Sequence, residues 1–186
     1  MRTAPRLQHL PDIHTALWDE LTSTTLDRSH PWRTAVLATA DGDAADARSV
    51  VLRECDREAR ALRFFTDARS AKVQQLQQRP LGTLVLWSAQ LSWQLRLRVA
   101  LQAHSDGLAV AARWARLQQS AAAQDYLGPL APGTLLGATP PPRAAAERGH
   151  FALVTASVVW MDWLELNADG HRRAVFDAAG GRWVAP

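Results

Sequence analysis

A chain of 186 residues, 47% hydrophobic and 21% charged, has the make-up of one globular domain that needs neither disulfides nor a structural metal. Its lone cysteine, Cys55, excludes a disulfide framework or a CxxC pair and suits a reducing, cytoplasmic setting. The 21 basic and 18 acidic residues form no block of like charge, which argues against a nucleic-acid arm, and no run of about 18 apolar residues predicts a membrane span.

In chain order, Pro5, Pro11, Asp12 and Asp19 interrupt the N-terminus, so no signal-peptide core is expected. Asp12 is placed to cap a first helix to about Ser23, on which Ile13, Leu17, Trp18 and Leu21 recur near helical spacing. The segment Arg28–Trp32 breaks it. Strands are predicted over 34–40, 47–53 and 61–66, with Asp41-Gly42-Asp43 as the first turn. In the second strand Arg48, Val50 and Leu52 share one face and Ser49, Val51 and Arg53 the other. Ser70 has the position of a cap for a short helix through Gln78, which Pro80 stops.

A fourth strand covers 82–87. Over 92–103, Trp93, Leu95, Leu97, Val99, Leu101 and Ala103 alternate with Gln94, Arg96, Arg98, Ala100 and Gln102, a period of two that marks a long strand with one buried face. Helical segments follow over 106–119 and 120–127, then a Pro/Gly-rich loop over 128–143. Strands are predicted again over 151–166 and 171–176, and Gly180-Gly181 turns into a last one at 182–184. Seven or eight short strands without repeated βαβ units predict a mainly β fold with flanking helices, an antiparallel barrel or sandwich. We read residues 1–186 as a single domain whose first 27 residues form an N-terminal helical segment.

The usual chemical motifs are missing. The sequence has no phosphate-binding GxxxxGK[ST] loop, no GxGxxG, no HExxH or paired spacing among its six histidines, and no GxSxG elbow. What remains is a polar constellation over residues 48 to 98. Arg48 and Arg53 lie on one strand, Phe64-Phe65-Thr66 ends the next, and Arg69, Ser70 and the only lysine, Lys72, open the helix that follows. Cations and a hydroxyl at a helix start suit a phosphate, and they equally suit a solvated strand with an ordinary cap. The eight tryptophans fit core and dimer-interface filling as well as contact with an aromatic ligand.

These pieces, taken together, resemble a known family. Arg48-Ser49-Val50-Val51-Leu52-Arg53, Phe65-Thr66, Ser70-Ala71-Lys72 and Gln94-Leu95-Arg96 stand in the order and spacing of the signature of the pyridoxamine 5′-phosphate oxidase-like flavoproteins. That signature runs as an R-x-V-x-L-K strand, a Y/F-T strand end, an S-x-K helix start and a Q-V/L-R strand beginning. Trp163 and Arg173, ten positions apart, are similar to its C-terminal element, and His30–Thr39 resembles the first strand of an uncharacterised subgroup. The resemblance covers roughly residues 30–186. It implies an antiparallel split β-barrel that binds flavin mononucleotide (FMN) between the subunits of a homodimer. By that resemblance Arg48, Ser70 and Lys72 hold the FMN phosphate, and Val51 and Arg53 lie beside the cofactor. Phe65 and Thr66 line the ribityl chain and ring edge, Gln94 bonds the polar edge of the ring, and Trp163 and Arg173 reach it from the second subunit.

The same resemblance marks departures at the B6 substrate site. A lysine of that site is Arg53 here. Tyr126 keeps the family's tyrosine, but Leu130 replaces the arginine four residues on. Thr134 stands for a phosphate-binding serine, and His171 keeps its place while Asp169 replaces the nearby arginine. Loss of an arginine worth about 1.5–3 kcal/mol per charge-assisted bond, with an acid added, predicts weak or no pyridoxamine 5′-phosphate oxidase activity. Ala71, in place of a frequent arginine, and the unusual 128–143 loop predict looser FMN binding. The leading expectation is an FMN-dependent oxidoreductase with a non-B6 small-molecule substrate. The alternatives are a carrier that holds FMN, heme or another planar cofactor without turnover, and a structural dimer with no ligand.

Overall fold

The computed structural model describes residues 6–137 and 149–186. Its elements are helix α1 (Leu10–Leu26), strands β1 (Thr34–Asp41), β2 (Ala44–Asp56) and β3 (Ala61–Asp67), helix α2 (Ala71–Gln78), strands β4 (Leu81–Ser88) and β5 (Trp93–His104), helix α3 (Leu108–Leu117), and strands β6 (Phe151–Glu165), β7 (Arg172–Asp177) and β8 (Gly180–Val184). Short 3-10 turns occupy Pro31–Arg33 and Ala121–Tyr126. No helix among the described residues is long and apolar enough to cross a membrane.

All eight strands join one antiparallel sheet in the order β3-β2-β1-β4-β5-β6-β7-β8, and β3 also pairs with β6. That extra pairing closes β1, β2, β3, β6, β5 and β4 into a ring, so those six strands leave no open edge. The 15-residue β6 makes the closure possible. One edge of β6 follows β5 along nearly its whole length. The other edge pairs with β3 over Phe151–Ser157 and with β7 over Met161–Glu165. Between these halves Val159 is an extra residue, since Arg98 faces Trp160 and Val99 faces Val158. A bulge there bends the strand from one partner to the other. The result is a split barrel from which the β7–β8 ribbon extends.

Alternation fills the barrel. Leu37, Leu52, Leu62, Phe64, Leu84, Leu95, Leu97 and Val154 are fully buried within a single apolar cluster. Helix α1 adds Ile13, Leu17, Trp18 and Leu21 to that cluster and packs on β2 and β8. Its start differs from the sequence reading. The helix begins at Leu10 with His9 at the cap position, and Asp12 sits in the first turn, where its charge complements the helix dipole. The predicted helix over 120–127 is the 3-10 turn Ala121–Tyr126. A second apolar cluster of Val110, Tyr126, Phe151 and Leu153 lies outside the barrel, with Phe65 and Trp114 against it. Of the 128–143 loop, the residues from 138 onward lie outside the described residues.

Candidate functional site

At one end of the barrel the inward positions change from apolar to polar. Leu37 and Thr39 face inward on β1, and they pair with Arg48 and Asp46 on β2. Helix α2 packs against β1 and covers this polar end. Its buried Gln75 ties the layer together. The amide oxygen accepts from Thr39 Oγ1 at 2.6 Å and from Arg48 at 2.9 Å, and the amide nitrogen donates to Asp46 at 2.9 Å. Arg48 also donates to Thr39 Oγ1, to the Leu37 carbonyl at 3.3 Å, and to Asp46. Four acceptors from three elements hold the guanidinium in one orientation.

Lys72, in the first turn of α2, donates to Thr66 Oγ1 at 2.9 Å, and Thr66 Oγ1 lies 3.3 Å from Ser70 Oγ. Ser70 does stand at the cap position, but its hydroxyl makes no bond to the helix amides. It turns toward Thr66 instead. Burial lowers the Lys72 pKa, and the charge of Arg48 lowers it further against the opposing pull of Asp67 and Asp46. Asp67 is matched elsewhere, because Arg69 grips it through two nitrogens at 3.1 and 2.8 Å. Asp46 is likewise engaged by Arg48 and Gln75, and Lys72 has no ion pair among the described residues. The donor set is short of negative charge, which is the deficit a phosphate monoester supplies. The residues present fit the FMN phosphate.

A second group lies on the outer face. The register shifts between Leu52 and Glu54, so Arg53 sits at a bulge, with its guanidinium 5.8 Å from the centre of the Phe65 ring. Phe65 meets Phe151 edge-on at 4.9 Å, and Tyr126 meets the same ring at 5.3 Å. Burial raises the Tyr126 pKa, and the charge of Arg53 opposes that rise. Val51, half-buried, pairs with Thr34 on the same face as Arg53.

A third group spans the outer face of β5, β6 and β7. Gln94 pairs with Leu164, which pairs with Arg173. Arg173 donates to Asp162 at 2.9 and 2.7 Å, and Arg96 donates to the same carboxylate. Burial works to raise the Asp162 pKa, but the bonds from Arg173 and Arg96 outweigh it and hold the acid below the usual range. Trp163 is divided from this group by the sheet. Its cross-strand partner is Ala174, its indole is fully buried, and it packs on Trp93 at 5.5 Å and Trp183 at 6.3 Å. The structure does not bring the side chains of Trp163 and Arg173 together on one face.

Two expected substrate contacts stand apart. Thr134 is exposed and donates to the Ala131 carbonyl at 2.8 Å, within the loop. His171 is exposed and its Nδ1 accepts from the Asn167 amide at 3.1 Å, closing the β6–β7 turn. Two residues escaped the sequence reading, and a third was given the wrong role. Asp46 was legible in principle, two positions before Arg48 on the same strand face, and Gln75 one turn beyond Lys72 on α2. Arg69, grouped with the phosphate cations, instead fastens the loop, donating to the carbonyls of Gly128, Pro129 and Leu130 at 2.9, 3.1 and 3.0 Å.

Residues 15–105 match the family model for the pyridoxamine 5′-phosphate oxidase FMN-binding domain. That span holds Arg48, Thr66, Lys72 and Gln94 but neither Trp163 nor Arg173. No curated protein matches the sequence. Among solved structures, the chain is similar to a pyridoxamine 5′-phosphate oxidase-related FMN-binding protein from Nostoc punctiforme, at 25% identity and a TM-score of 0.72 over 97% of this chain and 98% of the other. It shares its fold with PhzG from Burkholderia lata, solved in complex with tetrahydrophenazine-1-carboxylic acid, at 16% identity and a TM-score of 0.73 over 98% and 99%. The General Stress Protein 26 of Bacillus anthracis aligns at 14% identity and a TM-score of 0.54 over 79% and 92%. With the closed ring, the β6 split and the cation cluster under α2, the chain has the split-barrel fold of these proteins, and its residues 15–105 match the FMN-binding domain of the pyridoxamine 5′-phosphate oxidase family.

Proposed function

We propose that the protein is an FMN-dependent oxidoreductase that works as a homodimer on a small molecule other than a B6 phosphate. The observation that carries this reading is the meeting of Arg48, Thr66, Ser70 and Lys72 at one barrel end. Bound FMN supplies electron and hydride transfer, and the chain supplies position and electrostatics. In this reading Arg48, Ser70 and Lys72 hold the phosphate, and Thr66 orients the lysine. Val51, Arg53 and Phe65 flank the cofactor, and Gln94 bonds the polar edge of the ring. Arg173 acts from the second subunit while paired with Asp162 of its own chain. A role for Trp163 passes through its backbone, because its indole lies within the core of its own chain.

The dimer reading is supported by the outer face, where Val36 and Trp87 stay exposed and Arg98 stacks over Trp160 at 4.4 Å. A lasting interface of that kind often exceeds about 2,000 Å². Sedimentation as a 20.5 kDa monomer at micromolar concentration would overturn it. The lone half-buried Cys55 agrees with a reducing cytoplasm.

Purified protein scanned over about 350–500 nm is expected to show a bound flavin spectrum or to gain one on titration with FMN. A colourless protein that takes up no FMN would defeat the proposal. A second reading, a flavin carrier without turnover, is favoured by the B6 positions themselves. Leu130 offers no donor, and Asp169 and His171 are exposed on a turn. Photoreduced holoprotein mixed with oxygen and candidate acceptors separates the two. Reoxidation no faster than that of free FMN would indicate storage.

A further inference from the structure

Outside the barrel, between β2, β3 and α3, lies a cavity of about 570 Å³ with a marked excess of one charge. Arg28, Arg33, Arg53, Arg113 and Arg116 line it around Phe65. Its one carboxylate, Glu54, is already engaged by Arg113 through two bonds of 2.6 Å and by Arg63 at 3.6 Å. Arg33 donates to the Thr24 carbonyl at 3.0 Å, and among the described residues Arg28, Arg53 and Arg116 have no ion pair. Burial lowers the Arg33 pKa, and the charges of Arg53 and Arg28 lower it further, so these guanidiniums stand close enough to repel one another. Like charges that outnumber the carboxylates around a hollow are stabilised by an anionic guest. The rest of the lining is apolar, from Phe65, Leu117, Ala121 and Ala122. A flat ring can rest on such a wall while its charged groups meet guanidinium planes.

We propose that this cavity takes a small flat organic anion with two separated negative groups, an aromatic dicarboxylate in type, and that this is the substrate class of the reaction proposed above. Two negative groups are proposed because the free cations come to the cavity from different elements. Arg28 and Arg33 lie between α1 and β1, and Arg116 lies on α3. The site is distinct from the phosphate grip of Arg48 and Lys72, yet Arg53 and Phe65 border both the cavity and the cofactor region. The inference rests on the flavin reading only for the word substrate.

The test is calorimetric titration of the protein, with and without bound FMN, using benzene-1,3-dicarboxylate, its neutral diamide and phenyl phosphate as probes at low salt. The dicarboxylate is expected to bind at least about tenfold more tightly than either other probe, and to weaken as salt rises. The double variant Arg28→Gln/Arg116→Gln, whose side chains are exposed and unpaired, is expected to lose about tenfold or more in dicarboxylate affinity with FMN affinity unchanged. Equal binding of the diamide, tighter binding of phenyl phosphate by the FMN-loaded protein, or an unaffected double variant would overturn the proposal. Dicarboxylate binding by a protein that takes no FMN would leave the anion cavity standing and remove the flavin reading. FMN binding without dicarboxylate binding would do the opposite.

Discussion

Two clusters of charge sit on the barrel wall and behave in opposite ways. Around Asp162, two arginines converge on one buried carboxylate, and the acid is stabilised in its charged form. Around Lys72, a half-buried amine shares its neighbourhood with Arg48, and its charged form is disfavoured. The first cluster is closed by its own residues. The second leaves two hydroxyls beside a lysine that has no ion pair among the described residues. That contrast separates a structural tie between β5, β6 and β7 from the place we propose for a ligand, although both are built from arginines on strands.

The largest effect is expected from Asp162→Ala. It leaves Arg96 and Arg173 facing each other without a counter-ion. Breaking a buried pair costs about 3–5 kcal/mol, and the partial exposure of both arginines reduces this to about 2–3 kcal/mol, measurable by urea unfolding. Because the folded pKa of Asp162 lies below its ordinary 3.8, its contribution is present above that value and is lost as pH falls through the folded pKa. The variant should therefore flatten the acid limb of the stability curve below about pH 4.

Next comes Arg48→Ala, which removes a phosphate ligand and leaves Gln75 and Asp46 without their cation. FMN affinity should fall about 100-fold, from one strong charge-assisted contact, and stability should fall by about 1–2 kcal/mol. Lys72→Met should sharpen the comparison by separating the two effects. FMN affinity drops about 10- to 30-fold, while the ligand-free protein keeps its Tm or gains slightly, since a disfavoured charge is gone. The sign follows from linkage. The folded pKa of Lys72 lies below the ordinary 10.5, so the unfolded chain binds more protons between the two values and the ligand-free protein gains stability as pH rises through that window. Lys72→Met should abolish that gain. The smallest effect is expected at Trp163→Phe. It loses core packing of about 1 kcal/mol and leaves the flavin absorption band unmoved, because the indole faces the interior. A shifted band would place the indole against the ring.

The strands were legible because local alternation sets them, as Leu95, Leu97, Val99 and Leu101 show against Gln94, Arg96 and Arg98. The nearness of Arg48, Ser70 and Lys72 was legible through the ordered motif that carries them. The split barrel was legible through the resemblance, but the strands that close it were not, because the choice of β3 and β7 as successive partners of β6 is a long-range matter tied to the bulge at Val159. The faces of Trp163 and Arg173 could not be read from a ten-residue spacing, since the register of the turn between them decides which side each takes. Arg69 looked like a phosphate cation in sequence, and only the folded loop shows it bonded to Asp67 and three carbonyls. The arginine cavity draws on the α1–β1 connection, β2 and α3, which no local pattern joins.

The central claim is that the polar end of the barrel recognises a dianionic phosphate tail. Its most direct test is to titrate the ligand-free protein with FMN and with riboflavin, which has the same ring without the phosphate, and to follow the fluorescence of the flavin. Affinity for FMN at least about 100-fold above that for riboflavin, collapsing toward parity in Lys72→Met/Arg48→Ala, is the predicted result. Equal affinity for the two in the unaltered protein would contradict it.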